Sequence, residues 1–415
     1  MAERDFLVDF AALSRIGATE HGGVDREAAT PADGAARRWL LEWFDRYGLG
    51  TAVDPVGNMY GLVEWLPGAP FVLVGSHLDS QPTAGRFDGA YGVLAAVHAV
   101  AVAREAVSAG ALVPRANLAV VNWFNEEGSR FSPSLMGSGV YTGKLDLAAT
   151  LAVTDRDGVG VGEALADIGF NGSDPMPPAA AYAEIHIEQG RVLQDTGTTI
   201  GVVTSNWAAR KYTVTVRGEQ SHTGATHLAD RRDALVGASR LVLAVRELAE
   251  RFGRDQLLGS VGRFTVRPNS PVVVPAEVTL AVDLRSADPD VLGKAHELFL
   301  AEVDAVTAAG EVSAHVDAMS ARPSSRYPSS GIELAEAAAR RAGLPTRRMV
   351  TMAGHDSVNL NDVVPTVMLF VPSDQGISHS EAEHTEDADL LAGVRVLTEV
   401  TTALLTASHP GGLAG

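Results

Sequence analysis

The chain has 415 residues, with 33 Lys and Arg against 51 Asp and Glu for a formal charge of −18, 46% hydrophobic residues and no cysteine. That length suits two or three domains with a large core, the apolar fraction excludes a disordered chain, and the negative charge argues against nucleic-acid or anionic-membrane partners, whose phosphates the protein's own field would repel. Without cysteine there is no disulfide, thiolate nucleophile, iron–sulfur cluster or zinc finger, so a metal must be held by His and carboxylate.

The start, Met1-Ala-Glu-Arg-Asp-Phe6, has no basic segment leading into an apolar one and does not read as a secretory signal. Helical periodicity covers 3–16 and 34–47. After the turn signal Pro67-Gly68, the continuous apolar run Phe71–Gly75 predicts a strand buried on both faces. The most apolar stretch, Gly89 to Ala103, is short, rich in Ala and Gly, and interrupted by His98, so no membrane span is expected and the reading is a soluble cytoplasmic protein. Further buried-strand runs are Leu118–Phe124, Tyr182–Ile187 and Thr366–Val371, with helical segments between them, an α/β pattern with a mixed sheet covered by helices.

Between about 208 and 321 the texture changes. Lys211–Arg217 and Glu277–Arg285 alternate, and each is followed by a long helical pattern, 231–251 and 288–308. Alternation means a sheet with one wet face, so two helices on one face of a roughly four-stranded antiparallel sheet form an inserted α+β (ferredoxin-like) domain. The predicted domains are therefore 1–207 with 322–415, and 208–321 as the insert, whose strand edge is a natural place for pairing in a homodimer.

Three of the buried strands end in metal-type ligands: His77-Leu-Asp79, Glu126-Glu127-Gly128, and His186 near the end of Tyr182–Ile187. In an open α/β sheet, such groups collect at the carboxyl ends of strands. The Gly-flanked Asp88 adds a carboxylate just before a helix, where a plain N-cap is the competing role. After the strand Thr366–Val371 come His379 and His384. His77, Asp88 and His186 would hold one divalent ion, and Asp88, Glu127 and a late His a second, with Asp88 as the bridge. Two such ions activate a shared water, leaving Glu126 as general base and acid, while Asp79 is suited to fixing the His77 tautomer.

Taken together, Gly75-Ser-His77-Leu-Asp79, Gly85-Arg-Phe-Asp88-Gly89, Asn125-Glu126-Glu127-Gly128-Ser-Arg130-Phe131, His186-Ile-Glu-Gln-Gly190 and Gly376-Ile-Ser-His379 resemble the hydantoinase/carbamoylase branch of the dinuclear-metal aminoacylase and carboxypeptidase superfamily. That branch contains N-carbamoyl-L-amino acid hydrolases, β-ureidopropionases and allantoate amidohydrolases. The resemblance runs over nearly the whole chain and implies a catalytic α/β domain with an inserted dimerisation domain. It assigns the late ligand to His379 rather than His384. It also implies that His222 in Gly218-Glu-Gln-Ser-His222-Thr-Gly224 stabilises an oxyanion in a partner subunit's active site, that Arg285 pairs with a substrate carboxylate, and that Gln189 contacts substrate. A bidentate guanidinium suits that task and supplies the cation the overall charge lacks.

One departure stands out: the segment Asn269-Ser-Pro-Val272-Val-Val-Pro275-Ala276 has Val272 where relatives usually carry a substrate-contacting Asn, and Ala276 in place of Gly. Asn269 is the candidate to compensate. No Gly-x-Ser-x-Gly, phosphate-loop, dinucleotide or His-Glu-x-x-His pattern occurs. The expectation is a homodimeric metal-dependent amidohydrolase acting on a small carboxylate-bearing N-carbamoyl (ureido) L-amino acid. The alternatives are an aminoacylase or dipeptidase with the same centre, and a non-catalytic binding protein retaining the fold. Mixed N/O ligands suit zinc or manganese, and also cobalt or nickel.

Overall fold

The computed structural model describes residues 3–253 and 256–407. The chain divides into two compact units, Met1–Thr204 with Arg326–Gly415, and Ser205–Ser325. The first unit contains strands β1 (Gly50–Val53), β2 (Met59–Val63), β3 (Phe71–His77), β4 (Asn117–Trp123), β5 (Ala179–Ile187) and most of β6 (Ile200–Asn206), which runs two residues past Thr204. The second holds β7 (Ala208–Arg217), β8 (Ser221–His222), β9 (Leu258–Arg267), β10 (Val273–Val274), β11 (Glu277–Ser286) and β12 (Ser313–Arg322), after which β13 (Thr346–Thr351) and β14 (Thr366–Val371) return to the first.

In the first unit, eight strands form one mixed sheet in the order β1-β2-β4-β3-β5-β14-β6-β13. Its centre is parallel: β3 pairs in parallel with β4 and β5, and β14 with β5. Every residue of β3, β4 and β14 is buried, as continuous apolar runs require when helices cover both faces. The antiparallel β1 and β2 lie at one margin.

The helix Ala90–Ser108 runs through the largest core cluster, burying Val93, Leu94, Val97 and Val100. It extends past the stretch read from sequence and is long and apolar enough to cross a membrane by length and composition, yet most of it is interior to this unit. His98, which interrupts its apolar run, is buried and lies 3.1 Å from Asp9.

In the second unit, β7, the helix Ala234–Phe252, β9, β11, the helix Pro289–Ala308 and β12 follow one another, and the sheet order is β12-β7-β11-β9 with antiparallel pairing throughout. This is the βαββαβ arrangement of a ferredoxin-like fold. Along β11 buried residues alternate with half-buried ones, placing Val278, Leu280, Val282 and Leu284 against Leu241, Val245, Phe299 and Val303 of the two helices. Both helices begin on an aspartate whose side chain accepts first-turn N–H groups, Asp233 and Asp288.

Candidate metal centre

Because β4, β3, β5 and β14 are neighbours and parallel, their carboxyl ends share one edge of the sheet. His77 is the last residue of β3, His186 the penultimate residue of β5, Glu126 and Glu127 follow β4, and the segment holding His379 follows β14. Asn125 and Gly128 are both left-handed, with φ of 50° and 68°, which turns the Glu126-Glu127 pair out of the strand's alternation.

Asp88 sits at the middle of the group. Its Oδ1 is 3.0 Å from His186 Nε2 and 3.5 Å from His77 Nε2, while its Oδ2 is 3.2 Å from His379 Nε2. His379 Nε2 is also 3.3 Å from Glu127 Oε2. Two overlapping sets result, His77–Asp88–His186 and Asp88–Glu127–His379, each able to offer three ligand atoms to one ion. Asp88 does not act as a helix cap: the N-cap position is Gly89, and no side chain caps that end. Gly89 has φ of 64°, and a Cβ on it would enter the His77 ring, so the approach of this loop to His77 depends on glycine.

The donor set fits a cation. His77 Nδ1 lies 2.9 Å from the Asp79 carbonyl oxygen, and His186 Nδ1 2.9 Å from that of Ile187. A ring hydrogen on each Nδ1 leaves both Nε2 lone pairs aimed at Asp88 oxygens, acceptor against acceptor. His186 Nε2 in addition accepts the Gly89 N–H at 3.1 Å, which again requires a lone pair there. Glu127 Oε1 is buried without a hydrogen-bond partner. Converging acceptors of this kind are balanced by a positive ion.

In the ion-free chain the same crowding of carboxylates and imidazoles shifts the groups that titrate. Burial opposes a charged Asp88, but the imidazoles of His186, His379 and His77 outweigh it and hold the carboxyl well below its usual range. Burial also works against charged imidazoles, yet the carboxylates around them raise His77 and His186 and push His379 up to about 9. Burial and the Asp88 charge raise Glu127 to about 7. For Glu126, burial together with Asp356, Glu127 and Asp88 outweighs His77 and drives the carboxyl well above its ordinary value. A carboxyl displaced upward in this way suits acid–base work. Glu126 Oε2 lies 3.5 Å from His77 Nε2.

Of the other residues singled out in the sequence, Asp79 stands differently from expectation. It is the backbone carbonyl of Asp79 that fixes the His77 ring, whereas the Asp79 carboxylate, 3.8 Å from Nδ1, accepts the N–H groups of Glu126 and Glu127 at 3.2 Å each. Gln189, at φ 59°, donates from Nε2 to Asp88 Oδ2 at 2.8 Å and to Ser378 Oγ at 3.1 Å, while its Oε1 is buried with no hydrogen-bond partner. His384 is half-exposed, 3.6 Å from Glu386 and edge-on to Phe87, and belongs to neither ligand set, as the resemblance implies.

In the second unit, His222 is exposed on the short β8–β10 pair, and its Nδ1 accepts the N–H groups of Gly224 and Ala225 at 3.0 and 3.2 Å. Its hydrogen therefore sits on Nε2, a donor facing outward. Arg285 is paired with Asp283 at 2.8 Å, and Asn269 is in the left-handed region at φ 55°.

Other residues at the centre were not singled out in the sequence. Glu184, two positions before His186 on β5, is buried and accepts from Ser76 Oγ at 2.8 Å and Ser357 N at 2.9 Å. Its signal is a charge inside an apolar strand, on the same face as His186. His355 packs on His186 with ring centroids 4.6 Å apart, and the adjacent Asp356 is buried, its carboxyl pushed well up by burial and by Glu184. Glu383 accepts the N–H groups of Phe87 and Asp88. Nothing local in the sequence marks these last three.

Residues 73–403 match the family described as peptidase family M20/M25/M40. A hydrolase of Mycolicibacterium smegmatis, with no substrate in its name, is 50% identical over 425 residues, covering 100% of this chain and 95% of that protein. The N-carbamoyl-L-amino-acid amidohydrolase of Rhizobium meliloti is 33% identical over 388 residues, 93% of this chain and 92% of that one. The allantoate amidohydrolase of Bacillus subtilis is 34% identical over 399 residues, 94% of each. Among solved structures, an amidase of the hydantoinase/carbamoylase family from Burkholderia vietnamiensis is 37% identical and superposes with a TM-score of 0.93 over 98% of both chains. With its His- and carboxylate-bearing strand ends inside the matched region, this chain belongs to peptidase family M20/M25/M40, in the hydantoinase/carbamoylase branch, as an amidohydrolase-type enzyme.

Proposed function

We propose that this chain hydrolyses the C–N bond of an N-carbamoyl (ureido) L-amino acid or a related ureido acid, giving amine, carbon dioxide and ammonia. The observation that carries the reading is the division of Asp88 between two imidazole-containing ligand sets, with Glu126 held beside the first. His77, Asp88 and His186 would hold one divalent ion, and Asp88, Glu127 and His379 a second, with zinc or manganese as the first candidates and cobalt or nickel also suited to these donors. Bound there, two such ions would polarise the carbonyl and lower the pKa of an attacking water.

The polypeptide's own part begins with Glu126. Its carboxylate takes the proton of the attacking water and delivers it to the departing nitrogen, the exchange that a raised carboxyl pKa favours. The buried, unpartnered Oε1 of Gln189 suits a substrate N–H, which a ureido group offers in plenty. His222, with its hydrogen on Nε2, is suited to stabilising the oxyanion of a partner subunit's substrate. Arg285 would hold the substrate carboxylate, with Asn269 as a further polar contact. The largely exposed outer strands β9 and β12 support pairing of two second units in a homodimer. A cytoplasmic homodimer without nucleic-acid or membrane partners completes the proposal.

One observation favours a second reading. Val272 is 60% exposed, and its carbonyl accepts the Thr223 N–H at 3.3 Å, beside His222. An apolar side chain in that place suits an acyl substituent, and thus an aminoacylase or dipeptidase using the same centre.

The test is a panel of N-carbamoyl amino acids, allantoate, N-acetyl amino acids and dipeptides, assayed after chelation and reconstitution with zinc or manganese. Metal-dependent ammonia release from ureido substrates is expected. Cleavage confined to acyl or peptide substrates replaces the proposal with the second reading, and no turnover on any of them defeats both.

A further inference from the structure

Building on the two-ion reading, we infer that Glu383 is the positioning residue for the second ion, tying the segment that carries Asp88 to the segment that carries His379. Glu383 is buried at 5% exposure. Its Oε1 accepts the backbone N–H groups of Phe87 at 3.0 Å and Asp88 at 3.1 Å. Its Oε2 accepts the Ser378 hydroxyl at 2.9 Å. Ser378 Oγ also lies 3.1 Å from Asp88 Oδ2 and 3.1 Å from Gln189 Nε2. The carboxylate thus reaches the bridging Asp88 through its main chain and, by way of Ser378, through its side chain. The fit is close on the other side as well, since a Cβ on Gly85 would fall on the Glu383 carboxyl group.

The two ligand sets depend on this tie unequally. The side chains of His77 and His186 are 1% exposed, and each has its ring held by a neighbouring carbonyl, Asp79 O and Ile187 O. The His379 side chain is 47% exposed and its backbone is left-handed at φ 54°, a conformation that a non-glycine residue keeps when its surroundings impose it. Ser378 and Glu383 are the flanking side chains that join this segment to Asp88. Glu381, bonded to Thr19, fastens the segment elsewhere. Removing the Glu383 carboxylate therefore loosens two members of Asp88–Glu127–His379, Asp88 and His379, but only Asp88 in His77–Asp88–His186, whose two imidazoles keep their own supports and whose ion should suffer less. Loss of such an outer hydrogen-bond partner typically weakens metal affinity about 10- to 100-fold.

The experiment measures zinc stoichiometry and stepwise affinity on the full chain after chelation, by elemental analysis and calorimetric titration, with His379→Ala as the single-ion reference. Wild type is expected to bind two ions. Glu383→Ala should keep the tighter ion and bind the other about 10- to 100-fold more weakly, and Glu383→Gln, which retains an oxygen for the two N–H groups, should restore most of that affinity. A structural role without positioning would lower thermal stability and leave the stepwise affinities unchanged. Two ions at wild-type affinity in Glu383→Ala, or equal weakening of both, overturns the inference alone. Should Glu383→Ala fail to fold, Ser378→Ala carries the test, with selective weakening of one ion expected and unchanged affinities overturning it. A wild-type chain that binds fewer than two ions defeats the two-ion reading and this inference with it.

Discussion

Asp79 holds Glu126 by its backbone: Oδ1 of the aspartate accepts the Glu126 N–H at 3.2 Å, and Oδ2 accepts the next N–H, that of Glu127, at the same distance. The carboxylate at the end of β3 thereby sets where the loop after β4 presents both glutamates. Asp79→Asn keeps the shape but loses one of the two acceptors, so the loop shifts without a change in either glutamate. Turnover is expected to fall about 10- to 100-fold, with substrate binding little affected. Steady-state kinetics that show an unaltered kcat would remove this role from Asp79.

Glu126→Gln tests the proposed proton carrier. The amide is isosteric and cannot exchange a proton, and Glu126 belongs to neither ligand set. Metal content should match wild type while kcat drops about 100- to 10,000-fold. Equal loss of metal and activity would mean that the residue serves the ions rather than the reaction.

On the proposed two-ion reading, protons and metal ions compete for His379. In the ion-free chain its imidazole is raised from 6.5 to about 9, burial opposing and the Asp88 and Glu127 carboxylates prevailing. The paired, protonated ring contributes stability that is fully present below 6.5 and is lost as the pH rises through about 9. Metal affinity runs the other way, because a ligand ring must be neutral. Affinity for the second ion should climb between these two values and level off above the upper one, with a proton released on binding near neutral pH. Calorimetric titration in buffers of different ionisation enthalpy counts that proton, and a binding step without proton release would contradict the assignment.

Gly89→Ala places a methyl group at φ 64° and against the His77 ring. Backbone strain alone should cost about 1–3 kcal/mol. Thermal unfolding of the chelated protein should show the loss before any ion is added, and ion binding by the His77 set should weaken as well. An unchanged unfolding temperature would mean that the loop relaxes without cost.

The buried runs Phe71–Gly75 and Thr366–Val371 were legible because a strand covered on both faces must be apolar at every position, and Glu277–Arg285 because one wet face enforces alternation. Strand-end placement makes the convergence of His77, Glu127 and His186 readable from sequence. The short β1 and β13 were not readable: β13, Thr346–Thr351, carries two arginines and only one buried residue, so neither periodicity appears. The role of the Asp79 side chain escaped for a different reason. A carboxylate two residues from a histidine is a plausible partner for its ring, and only the folded backbone reveals that the carbonyl reaches Nδ1 first. Glu383 and Asp356 owe their positions to contacts across hundreds of residues or to burial, neither of which leaves a local pattern.

The placement of β14 between β5 and β6 bears on how the molecule is made. During translation β5 and β6 emerge long before Thr366–Val371, so the nascent sheet waits with a gap at its middle and an open β5 edge that invites wrong pairing. The sheet therefore closes, and His379 reaches Asp88, only after Thr366–Val371 has been made and inserted between β5 and β6.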